Sequence, residues 1–149
     1  MSESLKLRDQ TGFPFYLCAK ELYNRYTSLL EPFGLTYTQL IVMMYLWEIG
    51  ASNIREASGA LLLDPSTLTP LLKRLESKGY VSRRRDPDDE RNILIRPTDK
   101  GRTLKNEVSA VREHANDVLG LSGSEMETLR SIILKALDNI ERNRKNGSN

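Results

Sequence analysis

Apolar residues recur along this chain mostly with the period of helices rather than strands. Leu17, Leu22, Tyr26, Leu29 and Leu30 share one side of a helix predicted over about 13–30, which Pro32 and Gly34 end. Thr36 suits an N-cap, and the run from Leu40 to Trp47 after it is apolar nearly all round. That pattern predicts a helix at the centre of a core, closed by Gly50. Asn53 caps a short third helix, Ile54 to Leu61. Asp64 suits the N-cap of a fourth, and Pro65 its first position, where a missing N–H costs nothing. Leu68, Leu71, Leu72 and Leu75 then form one stripe, while Ser66, Thr67, Thr69, Lys73 and Arg74 fall off it and face outward. Pro70 removes one ladder bond and predicts a slight bend, and Gly79 marks the end. Two short strands, Tyr80–Arg85 and Asn92–Ile95, flank a turn at Asp86-Pro87-Asp88-Asp89. Thr98 or Asp99 caps a fifth helix reaching about Leu119. Ser122 or Ser124 starts a sixth, with Met126, Leu129, Ile132, Ile133, Ala136, Leu137 and Ile140 at three-to-four spacing. The first ten residues and the tail from Arg142 are expected to be loosely ordered.

Six helices and one hairpin define the expected fold class as mainly α with a small β-hairpin. A helix that opens on small polar residues and continues into cations suits a base-pair edge flanked by phosphates. Followed by a basic hairpin, it reads as a winged helix-turn-helix. Residues 1–149 are expected to form one domain, with the winged segment over about 36–97 and dimerisation helices over about 11–31 and 99–145. Those flanking helices carry apolar stripes outside the winged segment. Two copies burying them would make a symmetric dimer, its reader helices addressing half-sites about 34–36 Å apart. The other reading is that the stripes pack on their own domain.

Apolar residues make up 39% of the 149, enough for a modest core, and the net charge is only +2. Its distribution changes the picture. Between Asp64 and Arg85, six Lys and Arg residues stand against two carboxylates, so the local excess is larger than the charge of the whole molecule. That is the footprint of a nucleic-acid module, although a charge cluster alone is equally a solvated basic face. One cysteine excludes an internal disulfide framework. With no long apolar run and no signal-peptide core, the chain is expected to be cytoplasmic, with no membrane partner. An enzyme is not expected, because no nucleophile–base pair, phosphate loop or metalloprotease motif is present. His114 has no ligand-type neighbour, and Asp86, Asp88, Asp89 and Glu90 lack calcium-loop spacing, so no metal or cofactor is expected.

Leu35-Thr36-Tyr37-Thr38-Gln39, Trp47-Glu48, Leu63-Asp64, the stretch from Thr67 to Glu76, and Asp88-Asp89-Glu90-Arg91 carry a resemblance. Over nearly its whole length the chain resembles the MarR family of bacterial transcription regulators, and within it the branch that senses organic hydroperoxides through a cysteine. The resemblance implies a homodimer with one winged helix-turn-helix per subunit, bound to palindromic double-stranded DNA operators, usually as a repressor. It places reader contacts on Ser66, Thr67, Thr69, Pro70, Lys73 and Arg74, and the minor-groove arginine of the wing on Arg91. Asp89 would hold the wing by charge-assisted bonds. Arg83, Arg84 and Arg85 would serve phosphates, with one turned aside because strand residues alternate.

In the peroxide-sensing branch a cysteine near the start of the first helix meets two tyrosines of the partner subunit, positions that match Tyr26 and Tyr37. The cysteine position itself falls on Gly12. Cys18 lies six residues on, rotated by roughly 240° and about 9 Å along the axis. Two sensor readings stay open. Cys18 is oxidised by an organic hydroperoxide, or Cys18 is a small buried residue and the tyrosines line a pocket for a small-molecule effector. The alternative function is a winged-helix interaction module that docks an acidic protein and binds no DNA.

Overall fold

Capping side chains set most of the helix starts. The molecule is seen in a computed structural model that describes residues 6–147. Helix α1, Gly12–Leu30, is followed by α2, Tyr37–Ile49. Thr36 Oγ1 accepts from the Gln39 N–H at 3.2 Å, while Gln39 Oε1 accepts from the Thr36 N–H at 3.1 Å. The same reciprocal box, between Asn53 and Glu56, starts α3, Ile54–Leu61, just after the two-residue strand β1, Ser52–Asn53. Helix α4, Pro65–Ser77, departs from expectation at its start. Asp64 has the extended backbone of an N-cap, but its carboxylate makes no capping bond. The Thr67 N–H that it would cap is already bonded to the Asp64 carbonyl at 2.9 Å.

Strands β2, Val81–Arg85, and β3, Ile93–Pro97, form the expected hairpin. The sheet nevertheless has three strands, in the order β1-β3-β2, because Ser52 and Asn53 pair with Ile95 and Leu94. A two-residue strand is too short to show a period. The expected fifth helix is also corrected. It divides into α5, Asp99–Glu107, and α6, Ser109–Asn116, with Val108 at φ −94°, ψ 5°. Ser109 Oγ donates to the Asn106 carbonyl at 2.8 Å, occupying the acceptor that Ala110 would use in a continuous helix. The last helix, α7, spans Gly123–Asn146 behind a Ser122–Glu125 capping box. It therefore carries helical order through the segment expected to fray, whose Ser148 and Asn149 lie outside the described residues. At the other end, Leu7–Asp9 form a 3-10 turn, and Met1 to Leu5 lie outside them too.

The chain divides into two compact units, Met1–Val118 and Leu119–Asn149. In the first, Met43, Leu46, Leu68, Leu72, Leu75 and Ile95 are fully buried. Tyr26 and Leu30 of α1 join Leu104 of α5 and Val111 and Ala115 of α6 in the same core. This corrects the expectation that these helices hold their stripes outside the winged segment: the apolar faces of α5 and α6 are used within their own chain. The N-terminal half of α1 is different, with Phe15, Tyr16 and Leu17 exposed. In the second unit, α7 buries none of its residues, and Ile132, Leu134, Leu137 and Ile140 are all exposed. No helix among the described residues is long and apolar enough to cross a membrane.

Candidate nucleic-acid interface

Helix α4 is split by its period into a buried face and a presented one. Leu68, Leu71, Leu72 and Leu75 are buried, Ser66, Thr67, Pro70, Lys73 and Arg74 are exposed, and Thr69 is half-buried. The helix runs unbroken through Pro70. The turn that leads into it places Leu62 at φ +53°, in the left-handed region that a branched side chain rarely adopts. At the far end, Gly79 at φ +78° permits a Schellman closure. There the Gly79 N–H bonds the Glu76 carbonyl at 2.8 Å and the Tyr80 N–H bonds the Leu75 carbonyl at 2.9 Å.

That closure is clamped to the start of α5. The Thr98 N–H bonds the Tyr80 carbonyl at 3.0 Å, and Thr98 Oγ1 donates to the Gly79 carbonyl. Lys100 Nζ donates to the Lys78 carbonyl at 2.8 Å and lies over the Tyr80 ring, 5.0 Å from its centroid. Lys78 itself is drawn back onto the Gly34 carbonyl. The end of the reader helix and the base of the wing are thus fixed to one rigid point.

On the wing, Arg83 is the arginine turned aside. Its Nε donates to Glu76 Oε2 of α4 at 2.9 Å, and its side chain is only 19% exposed. Its Nε is thereby engaged within the fold, unlike those of Arg84 and Arg85. Arg84 and Arg85 are exposed. At the tip, Asp89 Oδ1 accepts from the backbone N–H and from Nε of Arg91, both at 3.2 Å, and Asp89 Oδ2 accepts from Asn92 Nδ2 at 3.3 Å. The Arg91 side chain is 92% exposed. A pair this exposed adds little stability; its effect is to aim the guanidinium. Asp86 Oδ1 accepts from the Asp88 N–H at 2.9 Å, so two of the four acidic residues serve the turn. No group of three metal-ligating side chains occurs among the described residues. Sequence reasoning passed over Arg96, which is exposed on β3 opposite Ser82. The alternation of the hairpin, which sets it on the face of Arg84, could have identified it.

Of the three sensor candidates, the two tyrosines meet within one chain and Cys18 stands apart from them. Tyr26 and Tyr37 stack at 4.0 Å between centroids and 13° between planes, with Tyr23 edge-on to Tyr37. Cys18 is exposed rather than buried. It precedes Tyr26 by eight residues on the same helix, which is about 80° of rotation and about 12 Å of rise. Tyr26, Leu40, Met44, Trp47, Lys105 and Arg112 help to line a cavity of about 330 Å³. Tyr37 is not part of that lining. Trp47 Nε1 donates to the Gly101 carbonyl at 2.8 Å, which joins the cavity wall to the clamp under the reader helix. His114 is engaged locally, with Nδ1 at 2.7 Å from the Ala110 carbonyl.

Burial pushes the Tyr37 hydroxyl up to about 12, and the neighbouring Tyr26 pushes it the same way. Burial also raises Tyr26, with Arg112 opposing. An unfolded tyrosine ionises near pH 10. The contribution of Tyr37 to stability is therefore complete below pH 10 and is lost as pH rises from 10 to 12. Melting temperatures across that range are expected to fall less steeply for Tyr37→Phe than for wild type. Parallel curves would show that the hydroxyl is not held in this environment.

Residues 25–108 match the family model described as "Transcriptional regulator SarA/Rot". Over 140 residues the chain is 36% identical to the HTH-type transcriptional regulator SarZ of Staphylococcus epidermidis, covering 91% of this chain and 95% of that protein. It is 33% identical over 141 residues to the organic hydroperoxide resistance transcriptional regulator of Bacillus subtilis, covering 93% and 94%. Among solved structures it is similar to reduced AbfR bound to DNA, with a TM-score of 0.70 and 31% identity over 90% of this chain and 94% of that one. Overoxidized AbfR bound to DNA gives the same figures.

Proposed function

The chain belongs to the SarA/Rot-type, MarR-family winged-helix transcriptional regulators, and on that premise we propose that it binds palindromic double-stranded DNA as a homodimer and represses transcription. It is a transcription regulator, not an enzyme. The observation that carries the DNA reading is the presented face of α4, with Ser66, Thr67, Lys73 and Arg74 exposed on a helix fixed at its C-terminal end, together with an exposed Arg91 held by Asp89 at the wing tip. A narrow minor groove concentrates negative potential and suits a guanidinium at a hairpin tip. The exposed aromatic residues of α1 and the exposed stripe of α7 support pairing of two copies. In this reading residues 1–149 act as one cytoplasmic unit, with 36–97 on DNA and the exposed faces of α1 and α7 pairing the subunits. The protein-interaction alternative is disfavoured by the Asp89–Arg91 wing tip, which a generic acidic partner would not require.

The effector is an oxidant or a small molecule. A cavity of about 330 Å³ that joins aromatic walls to two cations supports the small-molecule reading, since ligand pockets span about 300–1,000 Å³. The exposed thiol supports the oxidant reading, as do the relatives named for organic hydroperoxide resistance and solved in reduced and overoxidized forms. The Cys18 thiolate would attack the peroxide bond, forming a sulfenic acid and releasing the alcohol. One gel-shift experiment tests both levels, using DNA upstream of the protein's own gene with and without an organic hydroperoxide, on wild type and Cys18→Ser. Wild type is expected to bind and then release while the variant stays bound. Equal release by both would remove Cys18 from sensing, and no shift at low salt by either would remove the operator reading.

A further inference from the structure

The break between α5 and α6 is not dictated by residue type. Neither proline nor glycine stands between Leu104 and Ala115, where a sharp helix break commonly has one. What opens the ladder is a side chain. In a continuous helix the Ala110 N–H would bond the Asn106 carbonyl, but Ser109 Oγ donates to that carbonyl at 2.8 Å. The chain resumes on a tighter turn, with the Val111 N–H bonded to the Val108 carbonyl at 3.0 Å. A hydroxyl and an amide that compete for one acceptor differ little in free energy, because each bond replaces one that water would make.

The two sides of the break are anchored differently. Ahead of it, Thr98 and Lys100 clamp the start of α5 to the end of the reader helix. Behind it, Val111 and Ala115 of α6 lie in the core with Tyr26 and Leu30 of α1, and Arg25 Nε donates to the His114 carbonyl at 3.5 Å. The break also forms one wall of the cavity of about 330 Å³, where Asn106, Val108 and Ser109 line it between Lys105 and Arg112. A change of angle at Val108 therefore reshapes the cavity and moves the reader helix relative to α1.

We propose that Val108 is a hinge at which α5 and α6 alternate between the broken form seen here and one unbroken helix, and that operator DNA and the occupant of the cavity favour opposite forms. The inference rests on the small-molecule reading above and supplies its route to the DNA. The cavity belongs to the broken form, and an occupant favours the form that holds it. In that reading the effector releases DNA, so the operator favours the unbroken helix, and by reciprocity DNA closes the break. Ser109 is a positioning residue, outside the reader helix and the wing, whose hydroxyl sets the balance.

The test needs no effector. Amide hydrogen exchange is followed by mass spectrometry in peptides covering Ser109 to Val111, free and bound to DNA upstream of the protein's own gene, and affinity for that DNA is measured on the same samples. In wild type the exchange is expected to slow on binding, as the Ala110 N–H gains the Asn106 carbonyl. Ser109→Ala removes the competing hydroxyl and favours helix. It is expected to exchange slowly even when free and to bind the DNA roughly 5-fold tighter, the worth of one hydrogen bond. Ser109→Gly removes the same hydroxyl but disfavours helix, and is expected to keep the fast exchange and bind no tighter than wild type. A Ser109→Ala variant that binds no tighter than Ser109→Gly, or exchange at the break that DNA leaves unchanged, overturns the hinge while leaving operator binding and the cavity intact. Wild type that does not bind this DNA overturns the operator reading and the hinge with it.

Discussion

Gly101→Ala is expected to destabilise the protein by about 3 kcal/mol or more, the range of severe overpacking. A Cβ built there meets the Tyr80 carbonyl oxygen at 2.0 Å, the Tyr80 carbonyl carbon at 3.0 Å and Met43 Cε at 3.2 Å. The methionine could give way, but the carbonyl cannot. Tyr80 O accepts from the Thr98 N–H, and the Gly101 N–H is held by Thr98 Oγ1 at 3.1 Å. Relief would require the start of α5 to back away from β2, breaking the clamp that fixes the reader helix and the wing. On helix propensity alone the substitution should stabilise by up to about 1 kcal/mol, so the sign of the effect decides which force prevails. Gly59→Ala in α3 is the control, because its Cβ would meet nothing within 4 Å. Denaturant midpoints are expected to fall sharply for Gly101→Ala and to stay level or rise for Gly59→Ala. A Gly101→Ala midpoint equal to wild type would show that this contact is not close.

Arg91→Ala is expected to weaken operator binding, and Lys73→Ala or Arg74→Ala to weaken it further. Each contact that reaches a base edge is worth about 1–3 kcal/mol, or roughly 5- to 150-fold in affinity. All three side chains are exposed, so truncation removes a contact with the duplex and not one with the core. Stability should therefore be retained while affinity falls, which unfolding and binding curves on the same samples separate. The two kinds of contact also differ in their salt response. Loss of a phosphate contact lowers the salt slope by about 1 and acts alike on all sequences, whereas loss of a base contact relaxes preference at one position. Unchanged affinity in all three variants would remove the reader surface and the wing tip from DNA binding.

The features read correctly from the sequence have short range. The N-caps at Thr36 and Asn53 act on residues three positions on, so residue type and place are enough to announce them, while their reciprocal partners Gln39 and Glu56 were seen only in the fold. The faces of α4 follow from periodicity, because the same leucine stripe that must be buried determines which residues remain outside. The Schellman end at Gly79 is likewise local. The Asp89–Arg91 pair was legible through family resemblance, and it too spans two residues.

What escaped the sequence depends on partners in other elements, on competition for a single acceptor, or on a conformation that composition argues against. Leu62 at φ +53° occupies a position where Gly or Asn would be expected, in a turn held by bonds from the Leu62 and Leu63 N–H groups to the Ser58 carbonyl. Strand β1 exists because β3 offers it an edge, and the division at Val108 depends on a serine hydroxyl that competes for one carbonyl. Arg83 is a cation in any composition count, yet Glu76 across the turn neutralises it. Trp47 reaches the carbonyl of Gly101 over a separation of 54 residues. By itself the sequence determined where α2, α3, α5 and α7 begin, which face of α4 is polar and where positive charge accumulates, since each follows from hydrogen bonds and periodicity within a few residues. Tertiary structure alone decided which arginines stay available to an anion and where a single methyl group cannot be tolerated. Both are contacts between distant segments, which local pattern does not encode.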